Sequence, residues 1–498
     1  MNDRSSADLR SVSRRAWTRA KVCAVAVPTL FLAALAAPAA AAVPNPVVTG
    51  PVASVGVPGD PAHNYPFFSS NHDLSAAGYV EEEYFIEGMA NRYNTPAGAT
   101  GSVRDSNHPY RTRMVVRRPA NQRDFNGTVL VEWYNVTNGF DAENIWFFNW
   151  EHVLRAGYAW VGVSAQRVGV NALKAWSPSR YGALDVTQGG TITDDGLSYD
   201  IFSQAGQAIR NPVGINVLGN LKPTTFIATG ESQSASRLAT YANSVMPLGN
   251  VWDGVMLLSS FGSLMRTDLQ VPLFKVLFEW DIETGEAAVR QPDTSVFHRW
   301  EVAGTAHVDH HLRLSREALE LRDNGTSSEA ALAPQCEVPN IGSRVPNHYV
   351  LDAAYDHLVR WIREGTRPPT SPLFEMASIG PGNRSKIARD SFNMAKGAIR
   401  LSQIEVPIAA NVGVNGGAGA CARWGYNLPF DIPTLDSLYQ THAGYLDAVF
   451  DVTLDNLKRG FILKPDATQT ALDAIQTRVG RGNSHGGIAN PQVPPQLR

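Results

Sequence analysis

The chain has 498 residues, 44% of them hydrophobic and 18% charged, with a formal net charge of -3. That length and apolar content allow a substantial buried core in one large domain or two. No basic stripe or patch is present of the kind nucleic acid would need, which argues against it as a partner.

The first 42 residues read as an export signal, not as part of the fold. Arg4, Arg10, Arg14, Arg15, Arg19 and Lys21 form a charged stretch, Val22 to Ala37 an apolar one, and Ala40-Ala41-Ala42 a small-residue cleavage site. Ser13-Arg14-Arg15-Ala16-Trp17 suits the twin-arginine route, and the long basic start suits an ordinary secretory signal nearly as well. An uncleaved anchor is the weaker reading, because the apolar stretch is short for a span and Pro28 interrupts it. The expected location is secreted or periplasmic, with no stable membrane insertion. Cleavage removes Cys23 and leaves Cys336 and Cys421, and an even count in an oxidising compartment predicts one disulfide. Two buried thiols are the alternative.

Residues 43 to about 72 are rich in Pro, Gly, Asn and Ser and predict an irregular lead-in. Tyr79 to Tyr93 and Tyr110 to Arg118 then predict an antiparallel opening pair separated by a Gly/Asn/Pro-rich turn region. Beyond it, short apolar runs alternate with helical stretches, as a parallel sheet with crossover helices requires. Strands are expected at Gly127 to Trp133, Tyr158 to Ser164, Thr224 to Thr229, Val251 to Ser259, Leu273 to Phe278 and Phe297 to Ala303. Helices are expected at Ala142 to Ala156, with Gly157 as C-cap, at Tyr199 to Arg210, at Ala235 to Val245, and at Tyr349 to Glu364, halted by Gly365 and Pro368-Pro369. After Pro369 come a Gly/Ala-rich loop from Gly413 to Ala420 and two helices, Thr434 to Lys458 and Ala467 to Val479. The division is therefore a signal over 1–42, a core over 43–369, and an extension over 370–498 that packs on the core or caps its active face. There is no internal repeat and no coiled-coil heptad.

Gly230-Glu231-Ser232-Gln233-Ser234 lies between a strand and a helix, which places Ser232 on a sharp strand-to-helix turn. Small residues are needed two before and two after such a serine, because the two backbones crowd there. Gly230 and Ser234 meet that need, although glycine is usual at the second place. A serine hydroxyl also needs a base, and the base a third group to hold its tautomer. The acid and the histidine should follow two later strands in the order Ser, Asp/Glu, His. Asp281 in Phe278-Glu279-Trp280-Asp281-Ile282 falls just past one strand, and His307 on the loop after the next. Glu279 is the alternate acid if the strand ends earlier, and Glu283 a distant third.

The oxyanion of a tetrahedral intermediate needs hydrogen-bond donors. The Gln233 amide is one, and Tyr134 or Asn135 is the candidate for the second. The run His307-Val308-Asp309-His310-His311 offers metal-binding residue types at a spacing that matches no helical pair, so no metal and no other cofactor is expected. His348 and His357 read as packing or surface residues.

These segments resemble the secreted bacterial alpha/beta-hydrolase-domain family. The resemblance is carried by Val131-Glu132-Trp133-Tyr134-Asn135-Val136, Tyr199-Asp200-Ile201-Phe202-Ser203, Gly230-Glu231-Ser232-Gln233-Ser234, Trp300-Glu301-Val302-Ala303-Gly304-Thr305-Ala306-His307, the stretch around Trp361, Cys421, and Pro429-Phe430-Asp431. It implies an α/β class chain with the alpha/beta-hydrolase fold, a mostly parallel central sheet with helices on both faces. It also implies Ser232 as nucleophile and His307 as base. The acid stays open between Asp281 and Glu279, because the family's Glu-x-Asp pattern occurs here as Glu279-Trp280-Asp281.

The expected activity is an exported serine hydrolase that cleaves a small-molecule or polymeric carboxylic ester through an acyl-enzyme, with Ser232, His307 and Asp281 as triad. Three alternatives remain: an amidase or peptidase with the same triad, a non-catalytic hydrolase-like binding protein, and a metal-dependent hydrolase centred on His307, Asp309, His310 and His311. Oligomeric state is left open.

Overall fold

The computed structural model describes residues 42–381 and 384–481. The expected export segment lies outside the described residues apart from Ala42. One nine-stranded sheet organises the rest. Its strands are β1 (Val47–Thr49), β2 (Tyr79–Asn94), β3 (Ser102–Pro119), β4 (Thr128–Trp133), β5 (Ala159–Val163), β6 (Thr225–Glu231), β7 (Gly254–Leu258), β8 (Leu273–Leu277) and β9 (Phe297–Glu301). They lie in the order β1-β2-β3-β5-β4-β6-β7-β8-β9.

The first three strands are antiparallel, β3 runs antiparallel to β5, and every pairing from β5 to β9 is parallel. Parallel strands are covered on both faces, and every residue of β4 through β9 is buried; β5, β7 and β8 are mainly apolar, whereas the edge strand β9 is Phe-His-Arg-Trp-Glu, its Glu301 paired with Arg290 at 2.8 Å. The chain leaves β4 for β5 on one side and returns to β6 on the other. That reversal opens a crevice beyond the carboxyl ends of β4 and β6, where ligands of such sheets bind.

Two helices cross between strands beside this crevice. The helix Asn144–Ala156 ends at Gly157, whose φ of 74° is the left-handed C-cap. It is tied to the helix Asn347–Glu364 by Asn149 Nδ2 donating to Asp352 at 2.7 Å and by Arg155 at 2.9 Å from the same carboxylate. The helix Ser198–Arg210 packs Phe202 against Trp133 and Trp252, with ring centroids 4.8 and 4.9 Å away. Under the opening hairpin, Arg113 and Arg117 are buried and meet Glu83 and Glu81 at 3.1 and 2.7 Å, since a guanidinium taken out of water needs carboxylate partners.

Several boundaries differ from the sequence reading. β3 begins at Ser102, eight residues before the expected Tyr110, because the polar stretch pairs its backbone with β2 as an exposed ribbon. Arg92 and His108 both bond Asp105 there, at 2.7 and 2.5 Å. The helix after Ser232 runs Gln233–Thr240 and passes into a wide π-type turn over Tyr241–Val245. The expected Thr434 to Lys458 helix is two helices, Ile432–Leu438 and His442–Arg459, because Thr441 caps a new start by accepting from the Gly444 amide at 3.1 Å.

The last helix, Lys464–Gln476, starts a turn early because Pro465 is tolerated in a first turn. Its Asp466 meets Arg155 at 2.7 Å, and the nearby Phe461 ring lies edge-on to Trp300 at 5.3 Å. Cys336 and Cys421 form a disulfide across 85 residues, with Cα atoms 5.4 Å apart.

Candidate active site

Ser232 follows the last residue of β6 and precedes the helix Gln233–Thr240. Its backbone sits at φ 59°, ψ -118°, a region costly for a residue with a Cβ. A Cβ on Gly230 would lie 3.1 Å from the backbone carbon of Ser234, a tight approach that favours glycine there. Serine at 234 has its own use. Its hydroxyl accepts from the Glu231 amide at 3.1 Å and donates to the Glu231 carbonyl at 2.9 Å, clasping the turn.

Two further loops converge on this turn. His307, after β9, places Nε2 2.8 Å from Ser232 Oγ and Nδ1 2.8 Å from Asp281 Oδ1. An ionised carboxylate only accepts, so Nδ1 carries the proton toward Asp281 and Nε2 is left to accept the serine hydroxyl. Asp281 Oδ2 in turn accepts from the Phe278 amide at 2.8 Å, which orients the carboxylate. Ser232, Asp281 and His307 are all at most 4% exposed. Phe261 stacks on the imidazole at 5.7 Å and Trp280 meets it edge-on at 4.7 Å, so the relay is walled by aromatic rings.

Glu279, the alternate acid, does not touch His307. Its Oε1 accepts from the Gly304 amide at 2.7 Å, and its Oε2 from the Gly413 amide at 3.0 Å and from Arg389 at 2.8 Å. It braces the loop that carries the histidine. Glu283 bonds Lys386 at 2.9 Å.

Gln233 opens its helix, so its amide has no carbonyl partner within that helix and faces the turn as a donor. The other two expected donors are engaged elsewhere. The Tyr134 ring is buried beneath Arg113, 5.6 Å from its guanidinium, and its amide bonds Val163 O at 3.3 Å. The Asn135 amide bonds Ala142 O at 3.1 Å, and its side chain donates to both the carbonyl and Oε2 of Glu231 at 3.0 Å. The next amide, Val136 N, makes only a long 3.4 Å contact with Gln233 Oε1. A backbone donor of this kind leaves no trace in residue type.

A residue the sequence reading passes over is Glu231. Its Oε1 lies 3.3 Å from His307 Nε2, while Oε2 also accepts from Asn144 at 2.7 Å. Burial pushes its carboxyl upward, against the pull of His307.

The His307 to His311 run does not converge. Asp309 caps the helix His310–Asn324 through the Leu312 amide at 2.8 Å, and His310 Nδ1 accepts from Arg313 at 2.9 Å. Elsewhere among the described residues, Glu151, His311 and His348 bring ligand-type atoms within 4.8 Å of one another. The two rings there stack at 3.8 Å with planes only 16° apart. A shared ion would lie out of the plane of at least one ring, where the nitrogen has no lone pair. The arrangement fits a stacked pair, with His311 raised to about 8 beside Glu151 despite its burial.

Beyond Trp280 lies a cleft of about 590 Å³, bordered by Glu337, Lys386, Asn393, Asn415, Arg423 and Tyr426. A family model for the alpha/beta hydrolase domain matches residues 48–471. The chain belongs to that alpha/beta hydrolase domain family. No curated protein matches the hydrolase.

Several solved structures do. An alpha-beta serine hydrolase homologue from Coxiella burnetii is 11% identical, covering 43% of this hydrolase and 92% of that chain, with a TM-score of 0.26. A serine hydrolase without lid from Xanthomonas campestris is 14% identical over 47% and 94%, with a TM-score of 0.26. Acetyl xylan esterase 1 from Thermoanaerobacterium sp. is 12% identical over 39%, with a TM-score of 0.23, and the match spans 51% of that esterase's length. Among the described residues of this hydrolase, no helix is long and apolar enough to cross a membrane.

Proposed function

We propose that this alpha/beta hydrolase is an exported serine esterase that works through an acyl-enzyme. The observation that carries this reading is the unbroken pair of 2.8 Å contacts from Ser232 to His307 and from His307 to Asp281. His307 takes the hydroxyl proton as Ser232 attacks the ester carbonyl, then gives it to the departing alcohol. Asp281 keeps the imidazole in the tautomer that allows this. The Gln233 amide supports the oxyanion, joined by Val136 N once it leaves the Gln233 side chain.

Export is supported by the basic and apolar stretches of the first 42 residues and by the Cys336–Cys421 disulfide. Within this reading, residues 43–369 form the catalytic core. The extension from 370 contributes Lys386, Asn393, Arg423 and Tyr426 to the cleft beside Trp280. Charges and amides along that cleft favour a polar ester over a long acyl chain.

Ser232→Ala tests the mechanism. The variant should lose hydrolysis of a chromogenic acyl ester and labelling by a fluorophosphonate, while wild type shows both. Turnover retained by Ser232→Ala rejects the reading. Matched amide and ester substrates decide between esterase and amidase.

A further inference from the structure

The Ser232 side of His307 faces a second carboxylate. Glu231 is 2% exposed and is gripped from two elements: Asn135 after β4 and Asn144 in the helix Asn144–Ala156 donate to its Oε2 at 3.0 and 2.7 Å. Those two amides hold Oε2 and leave Oε1 aimed at His307 Nε2, 3.3 Å away. Ser232 Oγ approaches the same nitrogen at 2.8 Å. The other charges facing this pair are Asp281 at Nδ1 and Arg316 from the helix His310–Asn324, itself paired with Glu320 at 3.0 Å.

Burying a carboxylate is costly, and packing alone would be served by an uncharged residue. The placement makes sense through the imidazole. Against a neutral ring, Oε1 sets a lone pair against the Nε2 lone pair, which is repulsive. Against an imidazolium, it faces an N–H and attracts. The contact therefore changes sign when Nε2 takes the serine proton, and only interactions stronger in the transition state than in the ground state raise the rate.

We propose that Glu231 is a positioning residue of the relay, a second carboxylate that stabilises the His307 imidazolium from the Nε2 side while Asp281 does so from Nδ1. This rests on the serine-hydrolase reading above. In acylation the Oγ–H bond breaks, its proton passes to Nε2, and Oγ bonds the acyl carbon. As the intermediate collapses, the bond from acyl carbon to alcohol oxygen breaks and the Nε2 proton goes to that oxygen. Water then gives its proton to Nε2 and its oxygen to the acyl carbon, and Oγ leaves with the proton restored. Glu231 stays ionised and exchanges no proton.

The test is the pH profile of kcat/KM for Glu231→Gln, which keeps the shape and removes the charge. Without the anion the neutral imidazole persists to lower pH, so the acid limb should move down by about one pH unit. Plateau kcat should fall about tenfold as the imidazolium loses a partner. Glu231→Asp, which keeps the charge, should return the limb toward wild type. If Glu231 only holds Asn135 and Asn144, kcat falls but the limb stays in place, and the proposal is overturned. Should the Gln variant fail to fold, Asn144→Ala frees the carboxylate to turn away from Nε2 and must move the same limb in the same direction. Ser232→Ala run in parallel separates the two readings. Turnover surviving in it overturns both, whereas turnover abolished in it with an unmoved Glu231→Gln limb overturns this one alone.

Discussion

Glu279 and Asp281 stand two residues apart in the short helix Glu279–Thr284, yet they serve different ends of one loop. Asp281 accepts a hydrogen bond from His307 Nδ1 at 2.8 Å, and Glu279 accepts one from the Gly304 amide, three residues earlier, at 2.7 Å. One carboxylate orients the imidazole and the other holds the loop that presents it.

The two acids should therefore separate by experiment. Asp281→Asn keeps the size but lets the ring adopt the wrong tautomer, and kcat should fall by about 10³ to 10⁴. Glu279→Gln removes the nearer of the two carboxylates beside Arg389, leaving Glu283 at 3.7 Å, and should lower stability by about 1–3 kcal/mol, with a much smaller loss of kcat. Steady-state kinetics and urea unfolding on both variants read the contrast. Equal kinetic losses would contradict the assignment.

Ser234 tests the turn itself. Ser234→Ala removes the hydroxyl that bonds both the amide and the carbonyl of Glu231 and should destabilise by about 1–3 kcal/mol. Chemical denaturation of the variant measures it. An unchanged midpoint would mean that the hydroxyl contributes nothing beyond its small size.

The disulfide closes a loop of 85 residues and should contribute about 4–5 kcal/mol on the chain-entropy model. Replacing both Cys336 and Cys421 with serine should lower the thermal midpoint, and adding reductant to wild type should lower it toward the same value.

A buried cluster where the last helix meets the core sets a pH dependence of stability. Burial raises Asp352 to about 7 and Asp466 to about 6, beside Arg155, and His152 is raised by Asp352 and Asp356 against its own burial. All three bind protons more tightly folded than unfolded. Their contribution is complete below the unfolded carboxylate range and is lost as pH rises through 6 and 7. Acids held low, such as Asp105 at about 2, change only at lower pH, whereas His72 and His310, lowered by burial to about 4 and about 3, gain stability as pH rises toward the free imidazole range and oppose the cluster. The cluster is therefore read as a difference: Asp466→Asn should lose less stability than wild type, or gain more, between pH 5 and pH 8. Parallel wild-type and Asp466→Asn profiles of thermal midpoint against pH would count against the cluster.

Much of the site was legible because the chemistry imposes local demands. Gly230 and Ser234 flank Ser232 as crowding at a strand-to-helix turn requires, and His307 follows a strand in the chain order such sheets use. The acid was not legible between positions 279 and 281. A helix turns about 100° per residue, so carboxylates two apart point about 200° apart. Which of them faces the histidine depends on where that helix begins, and the boundary between Leu277 and Glu279 is a tertiary outcome. The side-chain amide that makes Asn135, beside Tyr134, a candidate oxyanion donor bonds the carbonyl and carboxylate of Glu231, a partner that only the folded chain supplies.

By itself the sequence determined the alternating strands and helices, the strand-to-helix turn at Ser232, the expected cysteine pairing and the order of the candidate triad, because each follows from periodicity, small-residue spacing or composition. Only the tertiary structure decided that Asp281 meets His307, that Glu279 braces its loop, that the Tyr134 and Asn135 amides bond Val163 and Ala142 while Val136 N meets the Gln233 side chain, and that Glu231 closes on Nε2. Those are relations between residues distant in the chain or between backbone groups common to every residue, and they exist only once separate loops are brought to the same edge of one sheet.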